Sequence, residues 1–169
     1  MLIRQGERRD AVNLSALAIQ VWLHTYATEG ISSVFAHYVL SEFAPKKFEA
    51  LLSEDSSTVL IAEIAGNLVG YAALTTVTEC PVATRSEVEL ATLYVQEFFI
   101  GKGIGSALLR QSETWAKQRT NTSIWVAVNS KNVHAIAFYK KHGYTKLGIT
   151  HFDLGNEMHE NIVLGVEGV

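Results

Sequence analysis

Three glycines alternate in the run Gly101-Lys102-Gly103-Ile104-Gly105, between an apolar strand-like segment and a helix-like segment. Because glycine has no side chain, the backbone N–H groups of such a loop can converge on an anion at the positive end of the helix dipole. A diphosphate is the natural ligand of this arrangement. The same spacing is also typical of a tight, close-packed turn between a strand and a helix, and the glycines alone leave both interpretations open.

Two common phosphate-binding motifs do not fit this loop. A P-loop requires a Gly-Lys pair followed by Ser or Thr, whereas Lys102 is followed by Gly103. A dinucleotide fingerprint requires Gly-x-Gly-x-x-Gly and an acidic residue about 20 positions further on, whereas Ser106 follows Gly105 and Trp125 lies in the next apolar segment. The loop therefore argues against a nucleotide hydrolase and against NAD binding.

The segments around the loop predict one mixed α/β domain over residues 1–169, since we find no repeat, linker or low-complexity tract. Helical spacing of apolar residues and β-branched runs give the order strand, three helices, three strands, helix, strand, helix and two strands. The predicted elements are a strand at Leu2–Arg4, a helix capped by Asp10, helices around 34–39 and after Pro45, strands at 58–64, 68–74 and 87–95, a helix from Ile104, a strand at 124–128, a helix at 133–141, and strands at 144–152 and 161–166.

The composition of the chain argues against several classes of function. The chain has 169 residues, 48% of them hydrophobic, which is enough for one sizeable core. A net charge of -3 with scattered Lys and Arg argues against nucleic-acid binding. One cysteine, Cys80, and no Cys/His group at ligand spacing predict no metal site and a reducing, cytoplasmic compartment. No apolar run approaches the roughly 18 residues that span a bilayer, so no membrane association is expected.

Two motifs in a fixed order resemble those of the GCN5-related N-acetyltransferase (GNAT) family. Residues 93–109 resemble its acetyl-CoA-binding motif, and residues 129–144 resemble its Asn-x-x-Ala-x-x-Phe-Tyr-x-x-x-Gly-Phe/Tyr element. The resemblance implies the α/β GNAT fold, with a splayed central sheet of about seven strands flanked by helices. It also implies an enzyme that moves the acetyl group of acetyl-CoA directly from the thioester to a primary amine.

The resemblance further implies which residues bind acetyl-CoA, the co-substrate. Relatives usually have Arg or Gln where this chain has Ile100, so a side-chain contact should be weakened there while the backbone amide remains. Leu93, Tyr94 and Val95 would offer backbone groups to the pantetheine arm, Asn132 would touch the cofactor, and the main chain of Ile100, Gly101, Lys102, Gly103, Ile104, Gly105 and Ser106 would wrap the pyrophosphate.

Two catalytic residues are proposed on the same basis. Tyr139 corresponds to the tyrosine near the cofactor sulfur, and a phenol can donate a proton to a departing thiolate. Glu87 and Glu89 alternate on one strand face, and Glu89 is the preferred candidate for accepting a proton from the amine. Many relatives have a glutamate where this chain has Ala91. The alternatives are that Tyr139 is a packing aromatic and that the glutamates line a solvated face.

The acceptor is predicted to be a small-molecule amine, with a polyamine favoured. Residues 148–157, 123–128 and 135–141 resemble the bacterial spermidine/spermine N-acetyltransferases. His24 is a further candidate for substrate contact, and many relatives pair as homodimers. Alternatives are a peptide, protein or amino-acid N-acetyltransferase, and a non-catalytic module that senses acyl-CoA. The acids expected on the substrate side are Glu29, Glu87, Glu89, Asp153 and Glu157.

Overall fold

The computed structural model describes residues 1–166. These residues form two compact units: unit 1 contains Met1–Leu74 and Thr92–Ser112, and unit 2 contains Thr75–Ala91 and the chain from Glu113 onward. The single domain over 1–169 stays a prediction, and its last three residues lie outside the described part. The strands are β1 (Leu2–Gln5), β2 (Ser57–Ile64), β3 (Asn67–Thr75), β4 (Val88–Val95), β5 (Ile124–Asn129), β6 (Thr145–Leu154) and β7 (Glu157–Gly165); the helices are α1 (Ala11–Tyr26), α2 (Ser33–Glu42), α3 (Pro45–Leu51), α4 (Ile104–Thr120) and α5 (Val133–Lys141).

The seven strands form a mixed sheet in the order β1-β2-β3-β4-β5-β7-β6. In unit 1, β1 pairs antiparallel with β2, with Leu2 opposite Glu63. In unit 2, β4 runs parallel to β5 with Glu89 opposite Trp125, and β7 pairs antiparallel with both β5 and β6. The sheet and its helices confirm the predicted α/β fold class, while the predicted splay between strands stays a prediction.

Each unit has its own buried core. In unit 1, the predicted apolar face of α1 is buried through Leu14, Leu17, Ala18 and Trp22. The Trp22 ring lies within 5.0 Å, centroid to centroid, of the rings of Tyr26, Phe35 and Tyr38. Aromatic pairs in such tilted and edge-on geometries stabilise packing beyond the area they bury. The fully buried residues of unit 2 include Leu90, Ile124, Val163 and Leu164.

Two details of the prediction are wrong. Asp10 lies at the predicted N-cap position of α1, but its side chain makes no cap bond, because its carboxylate accepts two hydrogen bonds from Arg4 at 2.8 and 2.9 Å and one from the Glu7 N–H at 2.7 Å. Strand β7 begins at Glu157, four residues before the predicted start at Asn161. The extension lacks an apolar signal because it belongs to a largely exposed hairpin end, where neither face of the strand packs on the core.

The turn between β2 and β3 consists of Ala65 and Gly66, both with positive φ, at 51° and 77°. A non-glycine residue pays a steric cost in this region, and Asn tolerates it better than Ala. Ala65 is exposed. Ala65→Asn should therefore stabilise the protein by about 0.5 to 1 kcal/mol, measured as a raised midpoint of urea unfolding at unchanged m-value.

The matched control is Ala137→Gly, at an exposed position inside α5. Glycine in a helix interior costs about 1 kcal/mol relative to alanine, so this change should lower the same midpoint. A lowered midpoint for Ala65→Asn would contradict the assignment of the turn.

Candidate functional site

The glycine loop of unit 1 begins where β4 ends. The Gln96 N–H donates to the Val69 carbonyl at 2.9 Å, and a short 3₁₀ turn over Glu97–Phe99 follows. The Ile100 N–H donates to the Glu97 carbonyl at 3.1 Å. The amide of Ile100 is therefore engaged within the turn, and the pyrophosphate contacts predicted for this stretch depend on the residues after it.

Gly101 and Gly103 are required by backbone conformation. Their φ values are +80° and +79°, a region that favours glycine. A Cβ atom added at either residue would meet no atom within 4 Å. Close packing therefore does not explain these two glycines, and the interpretation of the loop as a close-packed turn is disfavoured at both positions. The open space beside them is available to a ligand.

Helix α4 starts directly after these glycines. The Ala107 N–H donates to the Gly103 carbonyl at 3.0 Å, so the amides of Ile104 and Gly105 precede the first helical bond and have no acceptor within the helix. The Ile104 side chain is fully buried and anchors the helix start. The Lys102 ammonium lies 4.8 Å from the centroid of the Phe99 ring. An anion at this position would meet backbone donors, the positive end of the helix dipole and a nearby cation.

The second half of β4 is held in place by packing in unit 1. Leu93, Tyr94 and Val95 are half-buried. The Tyr94 ring packs edge-on against Tyr71 at 5.7 Å and Phe43 at 6.4 Å. These contacts fix the strand whose backbone is predicted to meet the pantetheine arm. His24 lies close to the same region of the chain, because its Nδ1 atom is 3.4 Å from a carboxylate oxygen of Glu97.

The two candidate bases at the first half of β4, in unit 2, differ in their burial. Glu89 is half-buried between the fully buried Val88 and Leu90. Burial raises the pKa of the Glu89 carboxyl above its usual value, and a hydrogen bond from the Thr78 side chain opposes that rise. Glu87 precedes the strand and is exposed, and its backbone N–H donates to Thr122 Oγ1 at 3.2 Å. Burial therefore makes the Glu89 carboxyl a stronger base than an ordinary glutamate, whereas Glu87 lies in solvent.

Helix α5 carries the other predicted residues of unit 2 and has the predicted bounds. Asn132 caps the helix, because its Oδ1 atom accepts from the Ala135 N–H at 3.1 Å. Tyr139 is 4% exposed, and its ring lies 5.6 Å from that of Tyr144. Burial raises the pKa of the Tyr139 phenol, which therefore keeps its proton across the neutral range. The Tyr144 hydroxyl donates to Glu113 at 3.0 Å.

Apart from Glu87, the loop between β3 and β4 was not predicted to be part of the site. Residues 76–84, 86 and 87 of this loop line an open cavity of about 620 Å³ in unit 2, with Thr78, Cys80 and Val82 among them. Burial raises the pKa of the Cys80 thiol, which disfavours the reactive thiolate form. Thr78 escaped the sequence analysis because no period or motif marks a contact between a loop and a later strand.

The remaining candidates are exposed. Glu29, Asp153 and Glu157 all lie on the surface of their units. Across residues 1–166, we find no group of three or more His, Cys, Asp or Glu side chains that could hold a metal ion. No helix within that range is long and apolar enough to cross a bilayer.

Comparison with known proteins identifies the motifs. The family model for the acetyltransferase (GNAT) family matches residues 19–144. An uncharacterized N-acetyltransferase of Mycobacterium tuberculosis is 29% identical over 152 residues, covering 90% of this chain and 93% of its own. Another, from Archaeoglobus fulgidus, is 33% identical over 139 residues, covering 82% and 89%. The fold is similar to that of the PaiA N-acetyltransferase of Thermoplasma acidophilum, solved with coenzyme A, at a TM-score of 0.78, 20% identity and coverage of 98% and 97%.

Replacing Gly103 should abolish binding at the loop. A Val at φ +79° is strained, and its side chain would occupy the open space beside the helix start. Gly103→Val should therefore lower the affinity for coenzyme A at least tenfold in isothermal titration calorimetry, while the circular-dichroism spectrum stays close to wild type.

Gly66→Val is the matched control, because Gly66 has a φ of +77° and equally open surroundings but lies in the β2–β3 turn. It should carry a similar conformational cost and leave coenzyme A affinity unchanged. Wild-type affinity in Gly103→Val would contradict the placement of the pyrophosphate.

Proposed function

The chain belongs to the GNAT family and is an acetyl-CoA-dependent N-acetyltransferase, and we propose that its acceptor is a primary amine of a polyamine. The observation that carries the proposed chemistry is the half-buried carboxyl of Glu89, with its raised pKa and its contact to Thr78. Family membership assigns the chain to the enzymes, so the alternative of a non-catalytic acyl-CoA sensor is set aside.

Glu89 is the proposed proton acceptor. An aliphatic amine has a pKa of about 10.4 and must lose a proton before or during attack on the thioester carbonyl. A carboxyl whose pKa is raised by burial is a stronger base than an exposed one, and so fits this task better than Glu87. As the nitrogen–carbon bond forms and the carbon–sulfur bond breaks, the proton of the amine passes to Glu89, directly or through a water molecule.

Tyr139 is the proposed proton donor to the leaving sulfur. Because burial keeps its phenol protonated, it holds a proton that it can deliver as the thiolate departs. The alternative of a packing aromatic has support from its contact with Tyr144. A buried ring and a proton-donating hydroxyl are compatible, since the ring packs while the hydroxyl reacts.

The polyamine proposal is supported by the acidic residues of two segments of unit 2. Residues 147–166 contain Asp153, Glu157 and Glu160 and no Lys or Arg. The loop at 76–87 adds Glu79 and Glu87 against one cation, Arg85. Acids distributed in this way suit an extended polycation, whose several ammonium groups need several carboxylates. Homodimer formation and a cytoplasmic location stay predictions.

Tyr139→Phe tests the acid. The substitution keeps the ring and removes the proton, so kcat should fall roughly 10²- to 10⁴-fold with little change in the affinity for acetyl-CoA. The readout is release of free thiol with spermidine as acceptor.

Tyr144→Phe is the matched control, since it removes the hydroxyl that bonds Glu113. It should lower stability by about 1 kcal/mol and leave kcat within a few fold. Wild-type turnover in Tyr139→Phe would reduce Tyr139 to a packing residue.

The acceptor proposal predicts a salt dependence. Each exposed ion pair contributes about 0.2 to 1 kcal/mol, so several must act together, and salt weakens them because the Debye length shrinks to about 8 Å at physiological ionic strength. KM for spermidine should therefore rise between low salt and about 0.5 M sodium chloride, and rise further in Asp153→Asn/Glu157→Gln. Butylamine, with one charge, should show a smaller change.

The polyamine proposal fails if spermidine and spermine are not acetylated at millimolar concentration while a peptide or an amino acid is. That outcome would favour the alternative acceptors and leave the enzyme class unchanged.

A further inference from the structure

The β3–β4 loop reaches Glu89 through one side chain. Thr78 lies on the loop, is exposed, and makes a side-chain hydrogen bond to the Glu89 carboxyl. A hydroxyl donates to an ionised carboxylate, and such a bond favours the charged form and restricts the orientation of the carboxyl group. The position of Thr78 therefore depends on what holds the loop.

A close contact with β6 seats the middle of the loop. A Cβ atom built on Gly148 would lie 2.5 Å from Cγ1 of Val82, closer than real Cβ atoms approach, and 3.3 Å from the Cβ of Val82. Gly148 follows an irregularity in the β6–β7 register, which shifts between Lys146 and Gly148. Such an irregularity bends a strand locally. A side chain at residue 148 would therefore displace Val82. We call this contact between Val82 and Gly148 the notch, and it holds the middle of the loop in place.

The end of the loop is tied separately to the segment before β5. The hydroxyls of Ser86 and Ser123 are 2.7 Å apart, and the Glu87 N–H donates to Thr122 Oγ1. Within the loop, the Ser86 N–H donates to Thr84 Oγ1 at 3.2 Å. With Val82 and Ser86 both anchored, the preceding residues, including Thr78, have a defined path past Glu89.

Few charged groups face Glu89 in unit 2. Cys80, on the same loop, feels the Glu89 charge, which contributes to the raised pKa of its thiol. Trp125, paired with Glu89 on β5, is neutral, and its buried indole N–H has no hydrogen-bond partner among residues 1–166. The loop's own charges are Glu79, Arg85 and Glu87, and the shift of the Glu89 pKa comes instead from burial and from Thr78. The Thr78 hydroxyl is therefore the contact that opposes the effect of burial.

We propose that Thr78 is a positioning residue for Glu89, and that the seating of Val82 against Gly148 holds the loop so that the Thr78 hydroxyl meets the carboxylate. The proposal rests on the proposed role of Glu89 as proton acceptor. Thr78 aligns the carboxylate for the incoming amine and keeps it ionised to lower pH than burial alone would allow.

The test is a direct titration of Glu89 by NMR in protein labelled with ¹³C at the glutamate carboxyl, with Glu89→Gln used to assign its signal. Loss of a hydrogen bond to the charged form raises the pKa of an acid, so Thr78→Val should raise the pKa of Glu89 by about half to one pH unit. Thr78→Ser keeps the hydroxyl and should restore the wild-type value. Val77→Ala changes an exposed side chain of the same loop that takes no part in the anchoring, and it should leave the Glu89 pKa unchanged.

Two variants test the notch. The first introduces a clash at residue 148, and the second relieves that clash. Gly148→Ala places a methyl group against Val82 and should raise the Glu89 pKa as Thr78→Val does. Val82→Ala in the same chain removes the clashing methyl groups and should return the pKa toward wild type. If Gly148→Ala leaves the Glu89 pKa unchanged, the seating of the loop is not what positions Thr78.

Kinetics separate this inference from the proposed function. In Thr78→Val, the acid limb of the kcat profile should move to higher pH by the same amount as the NMR pKa, with KM for acetyl-CoA unchanged. Full activity in Glu89→Gln would overturn the proposed role of Glu89 as proton acceptor. An unchanged Glu89 pKa in Thr78→Val, beside an inactive Glu89→Gln, would overturn this inference alone.

Discussion

Strand β4 carries both the proposed base and the backbone that is predicted to bind acetyl-CoA. Its alternation buries Val88 and Leu90 completely and leaves Glu89 half-buried on the opposite face. Four residues later the same strand presents Leu93, at a distance of about 13 Å along an extended chain. The proposed base and the backbone predicted to meet pantetheine therefore lie on one covalent element, and any change that alters the register of β4 would displace both.

Burial sets the protonation of the two proposed catalytic groups. It raises the pKa of Glu89, so that this carboxyl costs stability as pH rises through its folded pKa and the charge forms. Asp10 in unit 1 shows the opposite sign: its hydrogen bonds from Arg4 lower its pKa, so it contributes stability that is lost as pH falls through that value. When charged, the Glu89 carboxyl of the candidate site thus lowers the stability of the fold, whereas the Asp10 carboxyl raises it. Such a cost is common where a group is held for chemistry.

Much of this fold follows from local sequence signals, and the exceptions share a cause. The bounds of α5 and the strand–loop–helix arrangement around Gly103 were predictable because apolar spacing and glycine chemistry act over a few residues. Asp10 lies at the predicted N-cap of α1, but the expected cap bond is absent because its partner, Arg4, lies on β1, and a capping motif describes only the helix. Thr78 and the contact of Val82 with Gly148 depend on the path of an aperiodic loop, which no local pattern encodes.

The proposed chemistry depends on Glu89 accepting the proton of the attacking amine. The most direct test is a single-turnover experiment in which enzyme loaded with acetyl-CoA is mixed with spermidine, comparing wild type with Glu89→Gln. The rate of acetyl transfer should fall roughly 10²- to 10⁴-fold in the variant, while calorimetry should give an unchanged Kd for acetyl-CoA. Transfer at the wild-type rate by Glu89→Gln would contradict the role of Glu89 as proton acceptor.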